Sequence, residues 1–302
     1  MKKLRSSLAA LLAATLLLSQ AATLAHAQDT DAADDAGEQQ TDDASDADAD
    51  QQAVQPDAIE LVQADTSADA QAAFEDKLVS VFENGTPEIQ YGYIENLDDG
   101  RGFTAGRAGF TTGTGDLLEV VEKYSQTTPG NALEGYLDAL RAVNGTDSVA
   151  GLDGLAEAWA QSATDPAFVA AQDAINDKLY REPARQLASE IGAELALTKA
   201  AIYEAGIQHG YGDDPDAVNS IAARATAAVG GTPASGVDEK VWLGAFLEER
   251  RQDLLAPKNA ETAEVWKESV GRADAMIEIY KSGNLDLSKP VEISVFGGKF
   301  NL

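Results

Sequence analysis

From Phe74 onward, apolar residues recur three and four positions apart through most of the chain. Phe74, Leu78, Val81 and Phe82 fall on one face of a helix, with Thr66 or Ser67 available as its cap. Asn84-Gly85 and then Thr86-Pro87 stop it. Leu117, Leu118, Val120, Val121 and Tyr124 predict a second helix opening at Asp116. Leu133, Tyr136, Leu137, Leu140 and Val143 predict a third, closed by Asn144-Gly145, and residues 152–160 a shorter one. Asp165-Pro166 is a cap followed by a first-turn proline. It opens a long, alanine-rich run to His209-Gly210 with a break or kink at Pro183. Residues 215–229, 237–255 and 260–281 predict three more helices, and 291–296 a terminal strand. Trp242, Phe246 and Trp266 fall in these helices and read as core.

One stretch breaks the helical rhythm. In residues 90–116, QYGYIENLDDGRGFTAGRAGFTTGTGD, the apolar period shortens to two and glycine becomes frequent. Ile89, Tyr91 and Tyr93 alternate with Gln90, Gly92 and Ile94, as in a short strand. Asp98-Asp99-Gly100-Arg101-Gly102 is turn chemistry. Residues 103–110 suit a second, irregular strand, and 111–115 a glycine-threonine turn. The expectation is a small antiparallel sheet whose glycines let a ligand approach the backbone. There is no Gly-Lys-Ser/Thr and no G-x-G-x-x-G, so a nucleotide site is not supported.

The start of the chain differs in character from the rest. MKKLRSSLAALLAATLLLSQAATLAHA has a basic start, an apolar middle and a small-residue end, which predicts a secretory signal peptide over residues 1–27. The apolar run from Leu8 to Leu18 is too short for a membrane anchor. Residues 28–66 are expected to be a disordered acidic linker, since they bury too little apolar surface to offset chain entropy. The DADAD run at 46–50 lacks the glycine and distal glutamate of a calcium loop. Residues 67–302 are then one two-lobed domain. With no cysteine, an exported domain must be stable through its core alone.

The net charge is −29; the leader carries +3 and residues 28–69 carry −14, leaving −18 for residues 70–302. Such a surface disfavours nucleic acid and favours a cationic partner, although general acidity also serves solubility. The chain has two histidines, one of them in the leader, and no cysteine. That supports neither a histidine-rich metal site nor a Ser-His-Asp or thiol nucleophile, and points to carboxylate chemistry. Glu83 sits in the last turn of the first helix beside Phe82. The helix dipole and burial both disfavour its charged form there, as a general acid requires. The plainer reading of Glu83 is an ordinary exposed glutamate at a helix end.

Tyr91 to Gly106 reads Y-x-Y-I-E-x-x-x-D-G-R-G-F-T-x-G, and Gly109 to Asp116 reads G-F-x-x-G-T-G-D. Further on come P-G-N at Pro129 to Asn131, V-N-G at Val143 to Gly145 and H-G at His209-Gly210. F-L-x-x-R at Phe246 to Arg250 and G-N-L-D-L at Gly283 to Leu287 complete the set. This ordered set resembles the bacterial endo-chitosanases of glycoside hydrolase family 46. The resemblance implies a mainly α (α+β), lysozyme-like fold. Two helical lobes are joined by a long central helix, with a small antiparallel sheet lining the cleft.

It also implies an inverting hydrolase of chitosan, acting without cofactor or metal, secreted and expected to be a monomer. By the resemblance Glu83 is the general acid, Asp99 the general base, and Thr104 holds the attacking water. Asp116 contacts the substrate amine, with Arg101 and Glu95 beside it as substrate-binding positions. Glu204, Arg250 and Arg272 form a supporting charge network, with Glu204 standing where an aspartate is usual.

Inversion requires two carboxyls about 6.5–9.5 Å apart, which a helix end and a sheet turn facing across a cleft can supply. Arg101 beside Asp99 would help keep that base ionised. Glucosamine units are cationic near or below neutral pH, which gives the acidic surface a purpose. Two alternatives stand beside this expectation: a non-catalytic binder of cationic glycans or calcium on the same fold, and a lysozyme-type muramidase.

Overall fold

A computed structural model describes residues 56–98, 100–259 and 263–302. The expected signal peptide, the expected linker as far as residue 55, and Asp99 lie outside the described residues. The first helix, α1 (Pro56–Asn84), starts at a proline, which needs no N–H there, rather than at the expected Thr66 or Ser67 cap. It ends as expected, with Gly85 in the left-handed region at φ 67° and its N–H donating to Val81 O.

Strands β1 (Ile94–Asn96), β2 (Phe103–Ala105) and β3 (Phe110–Thr111) follow, forming one antiparallel sheet in the order β1-β2-β3. The expected alternation from Ile89 to Tyr93 is therefore not the strand. Residues 91 and 92 form a turn, and pairing begins at Ile94 opposite Ala105. Thr104 is central, opposite Glu95 on one side and Thr111 on the other.

Helices α2 (Asp116–Thr127), α3 (Leu137–Val143) and α4 (Leu155–Ser162) come next. Together with the sheet and α5 (Pro166–Asn176) they enclose one core, containing Phe110, Leu117, Val121, Leu140, Trp159 and Phe168. A second core takes Leu78 and Phe82 from α1. It adds residues of α6 (Glu182–Ile191), α7 (Ala196–His209), α8 (Val218–Val229), α9 (Glu239–Leu255) and α11 (Val270–Ser282). Two lobes result.

The helical run from Pro166 to Ile191 joins them, because α5 packs in one core and α6 in the other. Asp165 caps it, its Oδ1 accepting from Ala167 N at 2.8 Å. The expected kink at Pro183 takes the form of a widened π turn, Asp177–Arg181, ahead of α6, where proline removes a helical N–H. The run does not reach His209: Gly192, at φ 74°, closes α6 and lets α7 start in a new direction.

α7 is buried on nearly every side, as befits an interior helix. The helix expected over 260–281 is two, α10 (Ala263–Glu268) and α11, separated at Ser269 by tight i→i+3 bonds. Trp242, Phe246 and Trp266 are core residues. The terminal strand β4 (Glu292–Val295) pairs with an unexpected partner, β5 (Gly298–Asn301).

Candidate active site

α1 delivers Glu83 into the protein rather than to its surface: the residue is only 4 % exposed. Phe82, one position earlier, is fully buried and lies under the Arg272 guanidinium at 5.3 Å. Arg272, from α11, donates through Nη1 to Glu83 Oε1 at 2.6 Å. Its Nε donates to Glu204 Oε1 at 2.8 Å. Glu204, from the buried face of α7, also accepts from Arg250 of α9, through Nη1 to Oε2 and through Nη2 to Oε1 at 2.9 Å. Arg250 Nη2 donates further to Gln208 Oε1 at 3.1 Å. Four helices thus place four charged side chains in one continuous, nearly dry line: Glu83, Arg272, Glu204 and Arg250.

The two carboxyls of this line are pushed in opposite directions. Burial raises the pKa of Glu83 and outweighs the charge and hydrogen bond of Arg272, while nearby Glu204 adds to the rise. Burial also acts to raise Glu204, but Arg250 and Arg272 together hold it below the usual carboxylate range. Glu204 is the carboxyl whose anion is favoured, and Glu83 the one whose protonated form is favoured. Because Glu83 Oε1 accepts from Arg272, Oε2 is the oxygen left to carry that proton.

The sheet carries the next candidates. Thr104 is 1 % exposed, and its Oγ1 has no hydrogen-bond partner among the described residues. A buried hydroxyl in that state is costly unless something polar meets it. Glu95, directly opposite on β1, is exposed and accepts from Tyr93 Oη at 2.9 Å. Asp99 lies outside the described residues; the connection that carries it joins β1 to β2, with Asp98 at φ 52° and Gly100 at φ 84° on either side. Arg101 adds its charge to the field at Glu83. Its carbonyl accepts from Gly113 N at 2.8 Å. A Cβ on Gly113 would sit 2.8 Å from that carbonyl and 2.6 Å from Thr146 O, so only glycine fits there.

Asp116 heads α2, with Oδ1 accepting from Thr111 N at 2.6 Å, Thr114 Oγ1 at 2.7 Å and Leu117 N at 2.9 Å. One of its oxygens therefore closes the 111–116 loop. The V-N-G segment locks the same loop, through Gly145 N to Gly113 O at 2.9 Å. Burial and Arg250 drive the pKa of His209 well down, and its Nδ1 lies 2.9 Å from Asp216 O. Among the described residues no group of acidic and histidine side chains is arranged to hold a metal.

The structure brings Glu83, Arg272, Glu204 and Arg250 together, and sets Thr104, Arg101 and Asp116 in one framework of strands and turns. The apolar period placed Phe82 on the buried face of α1 but not under Arg272, and residue patterns missed Gln208, whose only signal is that it neighbours His209.

Sequence comparison decides what this arrangement belongs to. The model of Glycosyl hydrolase family 46 matches residues 77–291. The chain belongs to glycosyl hydrolase family 46. A chitosanase of Bacillus subtilis strain 168 is 49 % identical over 220 residues, 72 % of this chain and 79 % of the relative. A Streptomyces chitosanase is 38 % identical over 250 residues, 79 % of this chain and 87 % of the relative. Among solved family 46 structures, that of a Gynuella sunshinyii chitosanase in complex with chitotetraose is similar with a TM-score of 0.71 and 48 % identity. It covers 77 % of this chain and 97 % of its own. A native Bacillus subtilis chitosanase matches with a TM-score of 0.72 and 46 % identity, over 77 % of this chain and 98 % of its own. The lysozyme-like arrangement expected from the motifs is the family 46 fold seen here: two helical lobes, a joining helix and a small sheet.

Proposed function

We propose that this chain is a secreted endo-chitosanase that cleaves β-1,4 bonds between glucosamine units with inversion. Glu83 Oε2 gives its proton to the glycosidic oxygen as the C1–O bond breaks. Asp99 takes a proton from a water held by Thr104 Oγ1, and the water oxygen bonds to C1 from the opposite face. Two carboxyls, one kept protonated and one ionised, are the minimum this reaction needs. Asp116, Arg101 and Glu95 line the substrate path.

The observation that carries the reading is the buried Glu83–Arg272–Glu204 chain. It keeps a proton on Glu83 by burial and points the carboxyl by a 2.6 Å hydrogen bond. The relatives named as chitosanases give the substrate class, and the net charge of −29 suits a polycationic chain. The test is release of reducing ends from chitosan by the wild-type protein and by Glu83→Gln. Removing a general acid lowers turnover by about 10²–10⁴-fold. A Glu83→Gln protein with native folding and near wild-type turnover would refute the assignment. Clearing of bacterial cell walls without cleavage of chitosan would point to a muramidase instead.

A further inference from the structure

A second ionic cluster lies away from the Glu83 line, and nothing above gives it a role. Asp76 belongs to α1, seven residues before Glu83, so the two carboxyls stand two turns apart on one side of the same helix. Arg107 belongs to the turn joining β2 to β3, three residues after Thr104. Arg107 Nη2 donates to Asp76 Oδ1 at 2.6 Å. The pair therefore ties the helix of the proposed acid to the strand of the proposed water-holding threonine.

Both ends of this tie are held. Arg107 Nη1 also pairs with Asp173 of α5, which accepts from Tyr91 Oη at 2.8 Å. The backbone N of Arg107 donates to Gln172 Oε1 at 3.1 Å. Gly106, at φ 69°, makes that approach possible, since a Cβ there would fall 2.2 Å from Gln172 Oε1. Asp76 Oδ1 also pairs with Arg181, the last residue of the π turn, whose guanidinium pairs with Glu75 and stacks 4.4 Å over the Tyr203 ring. Arg107 and Arg181 are 7 % and 3 % exposed, so both interactions act where solvent screens little.

The tie joins the two cores. Leu78 and Phe82, beside Asp76 on α1, pack in one core, and Ala105 and Ala108, flanking Arg107, pack in the other. The π turn lies between them, where widened helical turns gather at functional places.

We propose that Asp76 and Arg107, backed by Arg181, are positioning residues that set the distance between Glu83 and the water site at Thr104. The proposal rests on the functional reading above. Inversion leaves room for one water between two carboxyls, so the gap must be held, and displacement of about 1 Å can cost about 10²-fold in rate. The lobes meet through side chains here, and a clamp two turns before the acid on the same side of its helix holds the gap.

The experiment measures kcat and KM on chitosan oligomers for wild type, Asp76→Asn, Arg107→Met and Arg107→Lys, well below each melting temperature. Asp76→Asn and Arg107→Met lower kcat by about tenfold to a hundredfold and leave KM nearly unchanged. Arg107→Lys, which keeps a charge, recovers part of the loss. On a Thr104→Val background, Asp76→Asn costs less than it does alone, because both act on the same water. Should Asp76→Asn fail to fold, the comparison of Arg107→Lys with Arg107→Met carries the same test. An unchanged kcat overturns the proposal. So does a loss confined to KM, or one of equal size with and without Thr104. A wild-type protein that releases no reducing ends overturns the functional reading itself; an active wild type with an indifferent clamp overturns only the clamp.

Discussion

Glu83 and Arg272 form a buried pair, Oε1 2.6 Å from Nη1, although 189 residues separate them in the chain. The pair does two things at once. It orients the carboxyl, and it restrains the rise in pKa that burial imposes. Burial still wins, so Glu83 is protonated under conditions where an exposed glutamate would be ionised. A buried carboxylic acid with one oxygen pinned and the other carrying a proton is a proton donor with a fixed direction.

The first prediction follows from the sign of the Arg272 contribution. Arg272 lowers the Glu83 pKa, so Arg272→Gln lets it rise further. Activity on the alkaline side is lost as Glu83 gives up its proton, so that limb of the pH–rate profile moves to higher pH in the variant. An alkaline limb that stays in place or moves down would show that another group sets it.

The second concerns stability. Glu204 is fully buried between Arg250 and Arg272, and removing its charge leaves two guanidiniums facing each other. Glu204→Gln should cost about 3–5 kcal/mol of unfolding free energy, measured by urea denaturation near neutral pH. The folded pKa of Glu204 lies below its ordinary 4.5. Its contribution is therefore complete above pH 4.5 and lost as pH falls through the depressed folded value. The deficit of Glu204→Gln relative to wild type should shrink over that acidic range.

The reach of the sequence differs between these parts. Helix α2 was legible because Leu117, Val120, Val121 and Tyr124 repeat with the helical period and are all buried. The ends at Gly85 and Gly145 were legible because each needs a positive φ that glycine adopts freely. Pro183 signalled a disturbance, but not that the chain would answer with a π turn and break only at Gly192. Strand β5 carries no legible period, because Gly298–Asn301 holds a single large apolar residue, Phe300, and is defined by its pairing with β4. The helix end pointed to Glu83, and the family resemblance to Thr104, Glu204 and Arg250. They said nothing of Asp76 and Arg107, whose pairing depends on how two lobes meet and leaves no local period in the sequence.

Thr104 gives a third prediction. Thr104→Val keeps the shape and removes a buried hydroxyl that has no partner among the described residues. Thermal stability should hold or rise slightly, because an unsatisfied polar group is gone. kcat should fall by about 10–100-fold with little change in KM, since the misplaced water affects the transition state more than binding. A Thr104→Val protein with wild-type kcat would remove Thr104 from the chemistry.

The fourth concerns charge. If the acidity of residues 70–302 draws a cationic chain into the groove, added salt screens the attraction. KM for chitosan should rise as ionic strength goes from about 0.01 to 0.15 M, where the Debye length falls from about 30 to 8 Å, while kcat changes less. A KM independent of salt would leave the acidity as a matter of solubility.

The most direct test is proton NMR of the first products formed from chitosan, recorded before mutarotation. New reducing ends should start as the α anomer, because water attacks a β linkage from the opposite face with Glu83 as donor. Reducing ends that start as the β anomer, or none at all from correctly folded protein, would contradict it.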